Sequence, residues 1–312
     1  MKERQRIVFL FPGQGAQYVG MGHDFFREFV VARRTFEEAD DTLNQKLSEA
    51  IFSGDSKTLS ETHISQPAIF VTSCAIMRTL QSLLGTIRPY ATLGLSLGEY
   101  TALVAAEKIS FAEALKLVSA RGKAMHEAAQ KNQGMMAVIL GLHSDEVQKT
   151  IECLKDVVCA NFNCPNQVVI SGTKKGIKEA VDLLLQKGAR KVVPLEVEGA
   201  FHSPLMESAK EALTPLIEKA PISMSSIKFC ANVTANFVDE PQKIKELLIQ
   251  QIVSPTRWEE SIRLADKEGI DFYIELGPGT TLSTFNRRIG TGGKTFNIEK
   301  VQEIKPLEQV LE

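Results

Sequence analysis

Cysteine is sparse and unpatterned: Cys74, Cys153, Cys159, Cys164 and Cys230 make an odd number with no C-x-x-C spacing. That excludes a disulfide framework and a zinc site, so no metal is expected. The five read as small, reduced, mostly buried residues of a cytoplasmic protein. There is no excess of charge either, with 36 Lys and Arg against 38 Asp and Glu and a net charge of −2. This argues against a general nucleic-acid binder while leaving room for local patches. Long apolar runs are missing. After the basic stretch from Met1 to Arg6, only Ile7 to Phe11 are continuously apolar. That is too short for a signal-peptide core, and nothing later approaches the roughly 18 residues of a membrane span. Strong repeats and low-complexity tracts are absent, and Trp258 is the only tryptophan. What is present is ordinary for a globular protein: 44% hydrophobic and 24% charged residues over 312 positions. A chain of this length can bury a substantial core as one large domain or two smaller ones.

The stretch with the most chemistry in it is Gly94-Leu95-Ser96-Leu97-Gly98. Tyr90 to Leu93 before it suits a short buried strand, and the residues after Gly98, through Ala106, have helix composition. G-x-S-x-G between strand and helix is the pattern of a nucleophile elbow. The turn is too tight for side chains at its flanks, hence the glycines. The serine hydroxyl then stands over a helix N-terminus, whose free N–H groups favour a developing negative charge.

Taken in order, Arg6 to Phe11 reads as a strand buried on both faces. It runs into Pro12-Gly13-Gln14-Gly15, a glycine-rich loop at a strand's carboxyl end, where ligands bind in open α/β sheets. The dinucleotide fingerprint fails, because Tyr18 holds its third glycine position and no acidic residue follows at the right distance. From His23 to about Ser82 the chain is helical in character, with breaks expected near Ser53-Gly54-Asp55 and Ser65-Gln66-Pro67. Pro67 suits the first turn of a new helix. Ser110 and Glu113 form a capping-box pattern for the next helix. Its apolar stripe runs Phe111, Ala114, Leu115, Val118, Gly122 and Met125, and Arg121 falls on that stripe. An inward guanidinium needs a carboxylate or phosphate. The pattern leaves an internal salt bridge and a bound ligand equally open.

Between Met135 and Val197 the rhythm changes. Met136 to Leu140 reads as a strand and Ser144 to Ile151 as a capped helix. Asp156 to Phe162 and Gln167 to Ser171 read as strands joined through Asn163-Cys164-Pro165-Asn166. Lys175 to Lys187 is an amphipathic helix closed by Gly188, and Arg190 to Val197 a last strand. The order βαββαβ is the ferredoxin-like plan, a self-contained subdomain. Between Gly172 and Lys191 it carries Lys174, Lys175, Lys178, Lys187, Arg190 and Lys191 against only Glu179 and Asp182. Beyond it, His202 lies in a loop before a helix opened by Ser203-Pro204, where it is expected to be exposed and free to move protons. With an elbow serine in the chain, it is the best general base on offer. Glu275-Leu276-Gly277-Pro278-Gly279 is again a strand running into a glycine-rich loop, expected to face ligand as Pro12 to Gly15 does.

Five ordered motifs now add up. Phe11-Pro12-Gly13-Gln14-Gly15-Ala16-Gln17, Gly94-x-Ser96-Leu97-Gly98-Glu99, Arg121-Gly122-Lys123-Ala124-Met125, Gly199-Ala200-Phe201-His202-Ser203 and Glu275 to Gly279 resemble the malonyl-CoA:acyl-carrier-protein transacylases. The resemblance runs to about Ile289, and the remainder, with Gly290-Thr291-Gly292-Gly293, reads as a terminal extension. It implies an α/β fold: an α/β-hydrolase-like catalytic body of residues 1–133 and 198–312, with the ferredoxin-like subdomain inserted at 134–197. It also implies roles. Ser96 is the acyl-accepting nucleophile and His202 its base, oriented by a backbone carbonyl at Gln251. The oxyanion hole is the N–H groups of Gln14 and Leu97, and Arg121 grips the malonyl carboxylate. Phe201 beside His202 matches the malonyl-type pattern. One departure stands out: the family usually has histidine directly before the serine, and this chain has Leu95.

The expected activity is ping-pong malonyl transfer from malonyl-CoA to the phosphopantetheine thiol of acyl carrier protein in fatty acid biosynthesis. The coenzyme A thioester enters as substrate, and no separate cofactor is expected. The expected partners are malonyl-CoA and the carrier protein, with no nucleic acid and no membrane, in a cytoplasmic monomer. Rival readings are a free-standing acyltransferase or acyl hydrolase acting on carrier proteins in polyketide synthesis, and a silent carrier-protein docking module. Arg121 argues against the hydrolase, and the Ser96–His202 pair against the docking module.

Overall fold

The computed structural model describes residues 5–85 and 87–311. Residues 1–4 of the basic N-terminal stretch, and with residue 312 the outer ends of the expected catalytic body, lie outside the described residues. In chain order the strands are β1 (Ile7–Phe11), β2 (Ala91–Gly94), β3 (Met135–Leu140), β4 (Val157–Cys164), β5 (Gln167–Gly172), β6 (Lys191–Pro194), β7 (Lys228–Ala231), β8 (Asn236–Val238), β9 (Phe272–Leu276) and β10 (Lys294–Ile298). They form a six-stranded sheet ordered β10-β9-β1-β2-β7-β8 and a four-stranded sheet ordered β4-β5-β3-β6.

The large sheet is parallel except for β8, which folds back antiparallel on β7. β1 sits at its centre and explains the continuous apolar run in its sequence. Ile7, Phe9 and Phe11 enter the core on one face, Val8 and Leu10 that on the other. A strand buried on both faces has no place for alternation. Helices Thr62–Leu84 and Phe111–Lys131 cover one face, and Trp258–Asp266 and Thr281–Ile289 the other.

Three expectations about this body are corrected. Helix Thr62–Leu84 passes straight through Ser65-Gln66-Pro67, with Pro67 inside it rather than in its first turn. A proline there forfeits one backbone bond and is disfavoured on local grounds. Burial of almost the whole helix, from Thr62 to Leu80, outweighs that preference. By length and composition this helix could cross a membrane, contrary to the expectation from runs alone, yet 72% of its most apolar window is buried inside the protein. The chain beyond Ile289 is no mere extension: β10 pairs in parallel with β9 as an edge of the main sheet. The other expected break, at Ser53-Gly54-Asp55, is found, with Asp55 capping the helix Ser56–Ser60.

The small sheet is antiparallel, with two helices, Ser144–Ile151 and Lys174–Gln186, against one face. Its order is that of a ferredoxin-like βαββαβ unit. β4 runs on to Cys164, so the hairpin turn is Pro165-Asn166 alone, with Asn166 at φ 61. The sheet's other face sends Met136, Ala160 and Val169 into the core of the body. β4 is also tied to the segment before Trp258: Thr256 N–H donates to Ala160 O (2.9 Å), and Phe162 N–H to Thr256 O (2.9 Å). Ser110 caps helix Phe111–Lys131 by accepting from Glu113 N–H, but the Glu113 carboxylate turns to Lys116 instead of closing the box.

Candidate active site

The elbow forms as its glycines require. A Cβ on Gly94 would lie 1.9 Å from the Gly98 carbonyl carbon, and one on Gly98 would lie 2.2 Å from Phe11 O. No side chain fits at either position. Ser96 itself has φ 53, a left-handed conformation rare outside glycine. Such strain is of order 1–3 kcal/mol and persists only where surroundings over-determine it. Here Ser96 N–H donates to Asn232 Oδ1 (2.7 Å), and Asn232 Nδ2 donates back to Gly94 O (2.8 Å).

His202 is not the exposed loop residue that the sequence led one to expect. It is 4% exposed, also left-handed at φ 56, with Nε2 2.8 Å from Ser96 Oγ. Its Nδ1 lies 2.8 Å from Gln251 O and 3.1 Å from Ser254 O. Two carbonyls can only accept, so Nδ1 carries the proton and Nε2 turns a lone pair toward the serine hydroxyl. Burial, and next the nearby Arg121 charge, push the histidine pKa down to about 4, with the two carbonyls pulling it back up. At neutral pH the ring is an unprotonated base.

Arg121 is 1% exposed. Its Nη1 donates to Gln66 Oε1 (2.7 Å); its Nη2 donates to Gln251 Oε1 (2.9 Å) and Ser96 Oγ (3.0 Å). Among the described residues Nε is buried without a partner, and the guanidinium stands 5.8 Å from the Tyr100 ring centre. Among the described residues no carboxylate lies within ion-pair distance of it. The internal salt bridge left open by the sequence is therefore not there. Burial lowers the arginine's pKa, yet a guanidinium stays charged at any working pH.

Gln14 and Leu97 are brought together by the register of the central strands. Phe11 pairs with Gly94, so the loop after β1 and the elbow after β2 leave the sheet side by side. Neither N–H donates to another group among the described residues. The Gln14 side chain is fixed by donation to Thr62 Oγ1 (3.1 Å) and acceptance from Gln66 Nε2 (3.3 Å). The second glycine-rich loop packs against the first. A Cβ on Gly277 would meet Ser73 Oγ and Pro12, and the following helix N-terminus is closed by Glu275, which accepts from Leu282 and Ser283 N–H. That loop supports the first one.

Sequence reading missed Gln66, Glu99 and Asn232, and the side-chain role of Gln251. All four are buried polar groups whose partners are far away in the chain. Gln66 was lost in an expected helix break. Glu99 stood only as the end of the elbow motif and was given no role, although an acid beside the apolar stretch Tyr100 to Ala106 was itself a sign of an internal partner.

A sequence profile for the acyl transferase domain matches residues 8–302. The malonyl CoA-acyl carrier protein transacylase of Bacillus subtilis is 41% identical over 310 residues, spanning 98% of this chain and 97% of that protein. The same-named protein of Staphylococcus aureus is 36% identical over 304 residues, spanning 96% and 97%. Among solved structures, the Streptococcus pneumoniae enzyme superposes with a TM-score of 0.93 at 35% identity, covering 98% of this chain and all of that one. A malonyl-transacylase solved in complex with its type II PKS acyl-carrier protein gives 0.93 at 32% identity, covering 98% and 100%. The chain belongs to the acyl transferase family and, within it, to the malonyl CoA-acyl carrier protein transacylases.

Proposed function

We propose that this chain moves a malonyl group from malonyl-CoA to the phosphopantetheine thiol of an acyl carrier protein through an ester on Ser96. His202 Nε2 takes the hydroxyl proton as Ser96 Oγ attacks the thioester carbonyl. The N–H groups of Gln14 and Leu97 hold the oxyanion that forms. The carbon–sulfur bond breaks, and the coenzyme A thiolate leaves with the proton from His202. The carrier thiol then gives its proton to His202 and attacks the ester. Ser96 Oγ leaves and recovers that proton. The coenzyme A thioester is substrate, and the scheme calls on no other cofactor.

The observation that carries this reading is Arg121. A buried guanidinium with no carboxylate partner among the described residues, in contact with the nucleophile, suits an acyl group that brings its own carboxylate. Such a group could replace the neutral oxygens of Gln66 and Gln251 with a two-point charged contact. Leu95 leaves this machinery intact, since neither base nor oxyanion donor comes from that position.

All of these groups come from one chain, so we read the monomer as complete. Free thiols, four of them buried, suit a cytoplasmic setting. We read residues 134–197 as the partner-facing subdomain, because the exposed cations Lys174, Lys175, Lys178, Lys187, Arg190 and Lys191 would draw in an acidic carrier. Intact-mass measurement after separate exposure to malonyl-CoA and acetyl-CoA tests the core of the reading. A malonyl ester on the wild type and none on Ser96→Ala is expected; an ester persisting on Ser96→Ala would place the nucleophile elsewhere.

A further inference from the structure

Glu99 has no part in the chemistry above, yet it is the hub of the groups around it. It is 1% exposed, and its Oε1 accepts from Asn232 N–H at 2.6 Å. Its Oε2 accepts from Gln251 Nε2, which also donates to Ser96 O (2.9 Å). The same Gln251 offers Oε1 to Arg121. One glutamine amide thus stands between a buried acid and the buried guanidinium, and Asn232 links that acid to the Ser96 N–H.

This arrangement sets up a competition. A site with one arginine and one ionised carboxylate is neutral. Adding the acyl carboxylate makes two anions against one cation where water cannot screen them, and one anion must take up a proton. We propose that Glu99 and the acyl carboxylate share the single positive charge of Arg121, so that a malonyl group is admitted with Glu99 protonated, which makes Glu99 a specificity-determining residue. Where Glu99 is ionised, the proton comes from solvent onto its carboxylate as the acyl group enters and returns when the acyl group leaves; no substrate bond is altered. The inference rests on the malonyl reading above.

Its pH window follows from the groups that face Glu99. Burial raises Glu99 to about 8, against the opposing pull of Asn232, Gln251 and Arg121. Tyr100 beside it and Cys230 on β7 are each pushed by burial to about 12; His202, which meets Ser96 and the Gln251 carbonyl rather than Glu99, is pushed down to about 4. Arg121 stays charged throughout. Of these groups, Glu99 alone titrates between neutrality and pH 9. Below about 8 it is neutral and Arg121 is free for substrate. Above that it ionises and competes.

The test compares malonyl-CoA with acetyl-CoA on the intact enzyme between pH 6.5 and 9.5. For malonyl-CoA, kcat/KM is expected to fall about tenfold per pH unit above the Glu99 pKa, as for loss of one required proton. For acetyl-CoA it should stay level. An indicator dye should report close to one more proton taken up per malonyl than per acetyl ester near pH 9, and no difference near pH 6.5. Thiol release is common to both thioesters and cancels. Glu99→Gln should flatten the malonyl profile and abolish the difference. Should that variant fail to fold, the wild-type proton count decides. Parallel profiles and equal proton counts, with malonyl ester forming normally, overturn the role of Glu99 alone. Absence of any malonyl ester at pH 7 overturns the malonyl reading, and this inference with it.

Discussion

Ser96 and His202 face each other at 2.8 Å, both in left-handed backbone, yet they are held by opposite means. The serine's turn is set by its neighbours, two glycines with a strand before and a helix after, and Asn232 braces its N–H from 136 residues away. The histidine is fixed by carbonyls 49 and 52 residues away, at Gln251 and Ser254. A locally determined position can be read from a short stretch of sequence. A position determined across the fold cannot, which is why His202 looks like a surface residue until its loop is seen packed against the body.

Breaking the two sides of this pair should have unequal consequences. Ser96→Ala should abolish the acyl-enzyme altogether, as judged by intact mass. His202→Ala should slow its formation by about 10²-fold or more, since the oxyanion donors and Arg121 remain. Equal residual rates for the two variants would contradict the division of labour. The pair's burial is sharpened by pH. A histidine lowered to about 4 is already neutral at pH 6, so kcat/KM for acylation should stay level from pH 7 to about pH 5 and fall only near that value. A fall centred on the ordinary histidine value near 6.5 would mean the loop is open to water in solution. The smallest effect is expected furthest away. Replacing Lys174, Lys175 and Lys178 by glutamate should weaken transfer to carrier protein by roughly threefold to tenfold at low salt, and leave acylation by malonyl-CoA nearly unchanged. Equal loss in both half-reactions would refute the docking assignment.

The same division between local and distant explains what was legible. The buried strand at Arg6 to Phe11, the βαββαβ order, the elbow and the inward aim of Arg121 all rest on periodicity, glycine spacing and caps, which act within a few residues; the α/β-hydrolase-like body was implied by the family resemblance. The exposure expected of His202, the break expected at Pro67 and the extension expected after Ile289 failed because each was decided by packing against distant segments. Pro67 shows this most plainly: its local preference is to end or begin a helix, and a buried 23-residue helix runs through it. Glu99, Asn232 and Gln66 were invisible for a related reason. A buried polar side chain announces itself only through its partners, here 133, 136 and 55 positions away in Asn232, Ser96 and Arg121.

The central claim is that Arg121 is kept charged and without a carboxylate partner for the substrate's own carboxylate. The most direct measurement is kcat/KM for malonyl-CoA and acetyl-CoA on wild type and Arg121→Ala. A charge-assisted hydrogen bond contributes roughly 1.5–3 kcal/mol, so malonyl transfer should fall by about one to two powers of ten. Acetyl transfer should hold or rise, and Arg121→Lys should fall between the two for malonyl-CoA. Loss of both activities by the same factor would mean that the arginine holds the site together and does not select the acyl group.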